Sequence, residues 1–238
     1  MKKIILIFLF FFAYHILYVL FSLANYFPSV FQLFEALLRN FSSQEIYLHM
    51  IASLSRILIG FLIASVVGIS MGLVLAHYQR IKYLTFYIEL LRPIPPIAWI
   101  PIAIIIFGLD NSSAYFIVLL GAFFPIFTNT YIGALSIPTI YKNIALSFQI
   151  NEITYFFKIL FFFALPHIFT GLKIGIGMAW MSVIAAELTG AQSGLGYYIQ
   201  LNRLLLQTDN IIIGMMLIGI IGNLLQKLID ITEKMIVV

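Results

Sequence analysis

Residues Met50 to Ala76 read MIASLSRILIGFLIASVVGISMGLVLA, with Arg56 the only charged side chain among them. A helix rises 1.5 Å per residue, so this run reaches about 40 Å, more than the roughly 30 Å hydrocarbon core of a bilayer. In lipid every backbone N–H and C=O needs an internal partner, which leaves helices or a closed barrel. A barrel strand alternates apolar and polar residues over about ten positions. This run does not alternate, so it predicts a membrane-spanning helix.

The rest of the chain agrees. Of its 238 residues 63% are hydrophobic, 16% aromatic and 9% charged, where a soluble domain carries about 25% charged residues. No cysteine is present, so disulfides and thiolate metal sites are excluded. His15, His49, His77 and His167 show no ligand spacing, and no metal site is expected. The net charge of +4 comes from span ends. No basic cluster with interleaved aromatics points to nucleic acid.

Six apolar segments are long enough to span. The first, 4–24, follows Met1-Lys2-Lys3 and is longer than a signal-peptide core, so it is expected to be an uncleaved span. Residues 25–49 carry Pro28, Glu35, Arg39, Glu45 and His49. Their apolar residues Val30, Phe31, Phe34, Leu37, Leu38 and Phe41 recur at helical spacing, which predicts an amphipathic surface helix. The second span is 50–76. The third, 82–108, contains Pro93, Pro95, Pro96 and Pro101, which must break or kink it. A break at membrane depth is tolerated against protein or a water-filled cavity. The fourth is 113–135, a polar stretch covers 136–158, and the fifth is 160–189. A Gly-rich polar segment, 190–209, precedes the sixth span at 210–229.

With the N-terminus inside, the inner segments hold Lys2, Lys3, Arg80, Lys82, Lys142, Lys158, Lys227 and Lys234, and the outer ones Arg39 and Arg203. This bias puts both termini and the 136–158 loop in the cytoplasm. The expected fold is an all-α integral membrane protein of about six transmembrane helices. Residues 1–44 form the first helix and an amphipathic extracytoplasmic segment, and 45–234 the main transmembrane domain.

The phosphate loop G-x-x-x-x-G-K-[ST], H-E-x-x-H and G-x-S-x-G are all absent. A membrane enzyme needs catalytic groups clustered at one interface, and none converge. A stand-alone secondary transporter or channel also predicts broken helices and buried charge, usually with an internal repeat; none is visible.

Several motifs are more specific. Leu91-Arg92-Pro93-Ile94-Pro95-Pro96-Ile97-Ala98-Trp99-Ile100-Pro101 is followed by Phe107-Gly108. Further on come Ala164-Leu165-Pro166, Gly171-Leu172-Lys173, Ala185-Ala186-Glu187-Leu188-Thr189-Gly190-Ala191, Gly194-Leu195-Gly196 and Gln207-Thr208-Asp209. In order and spacing this pattern resembles the ABC importer permeases for nitrate, sulfonate, taurine and related solutes, over about residues 45–234. The resemblance implies a type I importer fold in the bacterial cytoplasmic (inner) membrane. It implies a homodimeric pore, two cytoplasmic ATPase subunits that bind the ATP, and an extracytoplasmic solute-binding protein. The subunit itself would need no cofactor and do no covalent chemistry. The solute class implied is a small anion, with a thiamine-precursor or riboflavin-like solute as the alternative.

The same resemblance makes the 136–158 loop the element that docks on the ATPase, with Asn143, Ile144, Ala145, Gln149, Asn151 and Glu152 as its candidate coupling residues. The family's Glu-Ala-Ala positions hold Asn143-Ile144-Ala145, its Gly position holds Gln149, and its Leu-x-Pro positions hold Leu160-x-Phe162. The Gly normally permits a turn between two short helices. Gln149 must accept that geometry with strain or leave the helix continuous.

Candidate pathway-lining residues are Arg56, Arg92, Pro95, Pro96, Glu187, Gly194 and Gly196. A carboxylate deep in a span is costly, so Glu187 is expected to line the pathway, to pair across a dimer, or to be satisfied by a local hydroxyl such as Thr189. Arg56 and Arg92 either meet an anionic solute, pair with Glu187 or Glu89, or snorkel to an interface; Arg92 is expected to pair with a carboxylate inside the bundle. Gly68-x-x-x-Gly72 and Gly171-x-x-x-Gly175 are expected to pack within one subunit. Gly194-Leu195-Gly196 fits either a re-entrant turn or an ordinary loop.

Overall fold

The computed structural model describes residues 27–236. The span expected at 4–24 lies outside them.

Helix α1, Val30–Ser42, opens on a reciprocal cap: the Gln32 N–H donates to Ser29 Oγ and the Ser29 N–H to Gln32 Oε1, satisfying two donors that no helical carbonyl reaches. It ends at Ser43, and α2 runs unbroken from Gln44 to His77. The proline segment then divides a span in two. Helix α3, Leu84–Leu91, stops at Arg92. A short 3₁₀ turn, Pro96–Trp99, leads into α4, Ile100–Phe107. Consecutive prolines force the break. Pro95 and Pro96 have no N–H to donate, and each drives the preceding residue toward extended backbone; Pro95 itself has ψ 142°. Pro101 lies in the first turn of α4, where a missing N–H costs nothing. The two halves meet at 92°.

Helix α5, Asn111–Leu135, is followed by the short α6, Thr139–Ser147. Helix α7, Glu152–Gly190, opens on a short α-helical turn, Glu152–Thr154, followed by a π-helical stretch, Tyr155–Leu160, and so starts about two turns before the apolar run at 160. Residues 190–209, polar and Gly-rich in sequence, contain a further helix, α8, Leu195–Leu204. Helix α9 is Thr208–Ile236. Among the described residues, four helices (α2, α5, α7 and α9) are long and apolar enough to cross a membrane, and the bent α3–α4 pair makes a fifth.

The core is the seam where α5 packs between α2 and α7. Small residues let the backbones close in. A β-carbon at Gly60 would sit 2.6 Å from Val118, one at Gly68 3.0 Å from Ile126, and one at Gly72 2.8 Å from Thr130. From the other side, Gly171 and Gly175 lie against the same Ile126. Both small-residue pairs therefore pack within the chain, as the sequence suggests. Above the seam, Trp180 donates its indole N–H to the Ile218 carbonyl and ties α7 to α9. Lys173 makes a second tie, with Asp230 at 3.0 Å and with Glu233.

Candidate functional site

The seven candidate pathway residues fall into two separate places. Arg92, Pro95 and Pro96 border a cavity of about 460 Å³ whose far walls are α5 (Gly121, Phe124, Asn129) and α7 (Ile174, Met178). The proline break creates this space, because the chain turns away from α5 where a continuous helix would fill it. Arg92 is exposed on the rim and forms no ion pair among the described residues. This corrects the expectation that it pairs inside the bundle: α3 buries none of its residues and brings no carboxylate of the bundle within reach. The cavity's walls are mostly apolar, with Thr128 and Asn129 among them and one guanidinium at the edge.

Arg56, Glu187, Gly194 and Gly196 are elsewhere, at the end of the bundle where α7 gives way to α8. Arg56 Nη1 donates to Glu187 Oε1 at 2.8 Å, and both side chains are buried. The same Nη1 donates to the Ser193 carbonyl, Nη2 to Ser193 Oγ, and Nε to Asn111 Oδ1 at the first residue of α5. Glu187 also accepts from Ser53 Oγ at 2.8 Å and from the Gly196 N–H at 3.0 Å. The Leu195 N–H donates to Ser53 Oγ and the Gly194 N–H to His49 Nδ1. Four segments, α2, α5, α7 and the start of α8, thus meet on one salt bridge.

The two glycines are required there. Gly194 has φ +109°, and a β-carbon on it would collide with the Glu187 carboxylate. A β-carbon at Gly196 would sit 2.7 Å from Glu187 Cβ and from the Ile184 carbonyl. These residues wrap the carboxylate and line no part of the proline-walled cavity. The partner of Glu187 is Arg56 of the same chain, and its hydroxyl is Ser53; Thr189 donates to the Ala185 and Ala186 carbonyls instead. The buried carboxylate is thus paired and hydrogen-bonded within the chain.

Sequence reasoning missed His49, Ser53, Asn111 and Ser193. The signal for two of them is present: His49, Ser53 and Arg56 are spaced four and three apart, a polar stripe on one face of an otherwise apolar helix. A second network lies beside the first. Tyr198 Oη donates to Asn40 Oδ1 at 2.6 Å, Asn40 Nδ2 to Asn210 Oδ1 at 2.8 Å, and Asn210 Nδ2 to Asn202 Oδ1 at 2.8 Å, joining α1, α8 and α9. Arg39 adds an ion pair with Asp209 at 2.8 Å. Burial, with Glu45 and Asp209 adding to it, pushes the Tyr198 phenol up to about 12.

At the opposite end, the polar loop forms a helical hairpin. After α6 the Ile150 N–H donates to the Ala145 carbonyl and the Gln149 N–H to Leu146, the paired bonds of a Schellman cap. Gln149 takes the left-handed position, φ +53°. So the turn forms with Gln where the family pattern has Gly, and the strained alternative is the one adopted. Asn151 then caps α7, its Oδ1 accepting from the Thr154 N–H at 2.7 Å, and Glu152 follows in the first turn, where a negative charge is favoured. Asn143, Ile144, Gln149, Asn151 and Glu152 are exposed, while Ala145 is buried against the bundle.

The family described as the binding-protein-dependent transport system inner membrane component matches residues 64–232. The chain is 39% identical over 190 residues to a nitrate import permease protein of Synechocystis sp., covering 78% of this chain and 68% of that one. It is 41% identical over 179 residues to a putative ABC transporter permease protein of Methanocaldococcus jannaschii, covering 74% and 67%. It is 36% identical over 181 residues to the bicarbonate transport system permease protein of Synechococcus elongatus, covering 75% and 65%. With its apolar helices, its proline-broken span and this match over most of its length, the chain belongs to the inner-membrane permease components of ABC importers and is a multi-pass membrane protein.

Proposed function

We propose that this chain is the pore subunit of an importer for a small inorganic anion of the nitrate or bicarbonate class. Two copies form the pathway at a twofold axis. Cytoplasmic ATPases drive it, and an extracytoplasmic binding protein delivers the solute. The subunit does no covalent chemistry; its work is to exchange between two packings that differ by a few kcal/mol.

The observation that carries this reading is the α6–α7 hairpin. It projects Ile144, Leu146, Phe148 and Ile153 into solvent around a turn held by a strained residue. Exposed apolar groups on a rigid tip suit docking into a cleft on another protein. The anion follows from the named relatives and from the free guanidinium of Arg92 on the proline-walled cavity.

The chain has no cysteine, so single introduced thiols report cleanly. With the ATPase co-expressed, Phe148→Cys is expected to cross-link to it with a yield that changes between nucleotide-free and ATP-bound conditions. Absence of a cross-link in every nucleotide state would exclude coupling through this turn. In reconstituted vesicles, Arg92→Gln is expected to lower anion uptake roughly tenfold while assembly persists, which is the effect of losing about 1.4 kcal/mol of charge stabilisation. Unchanged uptake would remove Arg92 from the pathway.

A further inference from the structure

Helix α1 has three faces of different chemistry. At 100° per residue, Leu33, Ala36, Leu37 and Asn40 share one face, Gln32, Glu35, Arg39 and Ser42 a second, and Phe31, Phe34, Leu38 and Phe41 the third. The sectors are roughly 120° apart. The first is turned to protein: Ala36 is fully buried and Asn40 bonds α9. The second is exposed and polar. The third is exposed and entirely apolar, with Phe31 76% accessible.

A water-facing helix has no reason to keep three phenylalanines and a leucine on one side. A spanning helix has no reason to keep Gln32, Glu35 and Arg39. The aromatic face also continues into a neighbouring surface. Phe41 meets Tyr47 edge-on, with ring centroids 6.1 Å apart. From there α2 carries Leu48, Ile51, Leu58 and Leu62, all exposed, along a helix long enough to span the bilayer. That surface faces lipid tails. An apolar stripe continuous with it, on a helix whose next face is charged, fits the boundary between headgroups and tails.

We infer that α1 lies flat in the membrane boundary at the α8 end of the bundle. Its aromatic face is seated in lipid, its polar face in water and its Leu33–Ala36–Asn40 face against protein, with Asn40 bonded to α9. The partner of this surface is the bilayer. Because Asn40 and Arg39 of the same helix bond Asn210 and Asp209, α1 ties the start of α9 to the membrane surface. These observations hold whether or not the transport reading does.

The test uses the full chain in phosphatidylethanolamine–phosphatidylglycerol vesicles, with single cysteines introduced along α1 and labelled with a nitroxide. Phe31→Cys, Phe34→Cys, Leu38→Cys and Phe41→Cys are expected to give oxygen accessibility several-fold above that to a water-soluble nickel chelate. Glu35→Cys and Ser42→Cys are expected to show the reverse, and Ala36→Cys to be closed to both. If the four stripe positions are closed to both reagents, protein covers them, either residues 4–24 or a second copy, and the inference fails. If they are open to the nickel chelate, they face water and it also fails. Phe34→Trp, its emission read against the parent chain, gives a check without labelling: brominated lipid tails should quench it and aqueous iodide should not.

Discussion

Arg56 and Glu187 show how a charge is kept inside an apolar bundle. Arg56 spends four N–H donors on Glu187, Ser193 and Asn111, and Glu187 accepts from a side chain on α2 and a backbone N–H on α8. Removing one partner strands the other, at a cost of about 3–5 kcal/mol. Arg56→Met is therefore expected to lower thermal stability in detergent sharply. Arg56→Met with Glu187→Leu should recover much of the loss, because neither charge is then left alone. A double variant no more stable than the single would show that the pair is not the source of the cost. Gln149 carries backbone strain instead. Gly at its φ of +53° relieves about 1 kcal/mol, whereas a β-branched residue there is worse than Gln. Gln149→Gly should raise the melting temperature and Gln149→Val lower it, with the order of the three being the measurement.

Among the elements, the seam between α2 and α5 is the least tolerant. Gly60 faces Val118 with 2.6 Å for any added β-carbon. Gly60→Leu must push the helices apart, an overpacking cost of typically 1–3 kcal/mol. Gly177 and Gly219, where a β-carbon meets nothing within 4 Å, should accept Ala with little change; circular-dichroism melts of the three variants make the comparison. Helix α8 predicts a pH limit. The Tyr198 phenol is raised to about 12, so its protonated form is favoured in the folded chain. That stabilisation is complete below the ordinary tyrosine value near 10 and is lost as pH rises toward 12. Thermal stability should show no Tyr198-dependent change below pH 9, and a decline above pH 10 that Tyr198→Phe reduces.

For the whole molecule, the broken span is the part that one chain leaves incomplete. Helix α3 buries none of its residues, and Ile94 and Ile97 beyond it are exposed although α2, α5 and α7 form a continuous core. Under the twofold arrangement proposed above, this edge meets its own copy. Cysteines placed one at a time at 94 and 97 in the cysteine-free chain should give disulfide dimers in native membranes at one position or the other. Monomer at both, under mild oxidant, would place the axis elsewhere.

The membrane helices were legible from sequence because hydrophobicity accumulates along the chain: twenty or so apolar residues span a bilayer whatever packs beside them. The break at Pro93 to Pro96 was legible too, since proline acts on its own backbone. Residues 190–209 were not. Gly194 and Gly196 fit a re-entrant turn or an ordinary loop equally well; they open α8, and their missing side chains are what admit Glu187. Partnership was equally hidden. Arg56 and Arg92 are both arginines inside apolar spans, and nothing local separates the one that is locked to Glu187 from the one left free on a cavity. Composition and periodicity decided which segments enter lipid and where the third one breaks. Only the tertiary structure decided which charges meet, because pairing depends on residues more than a hundred positions apart arriving within 3 Å.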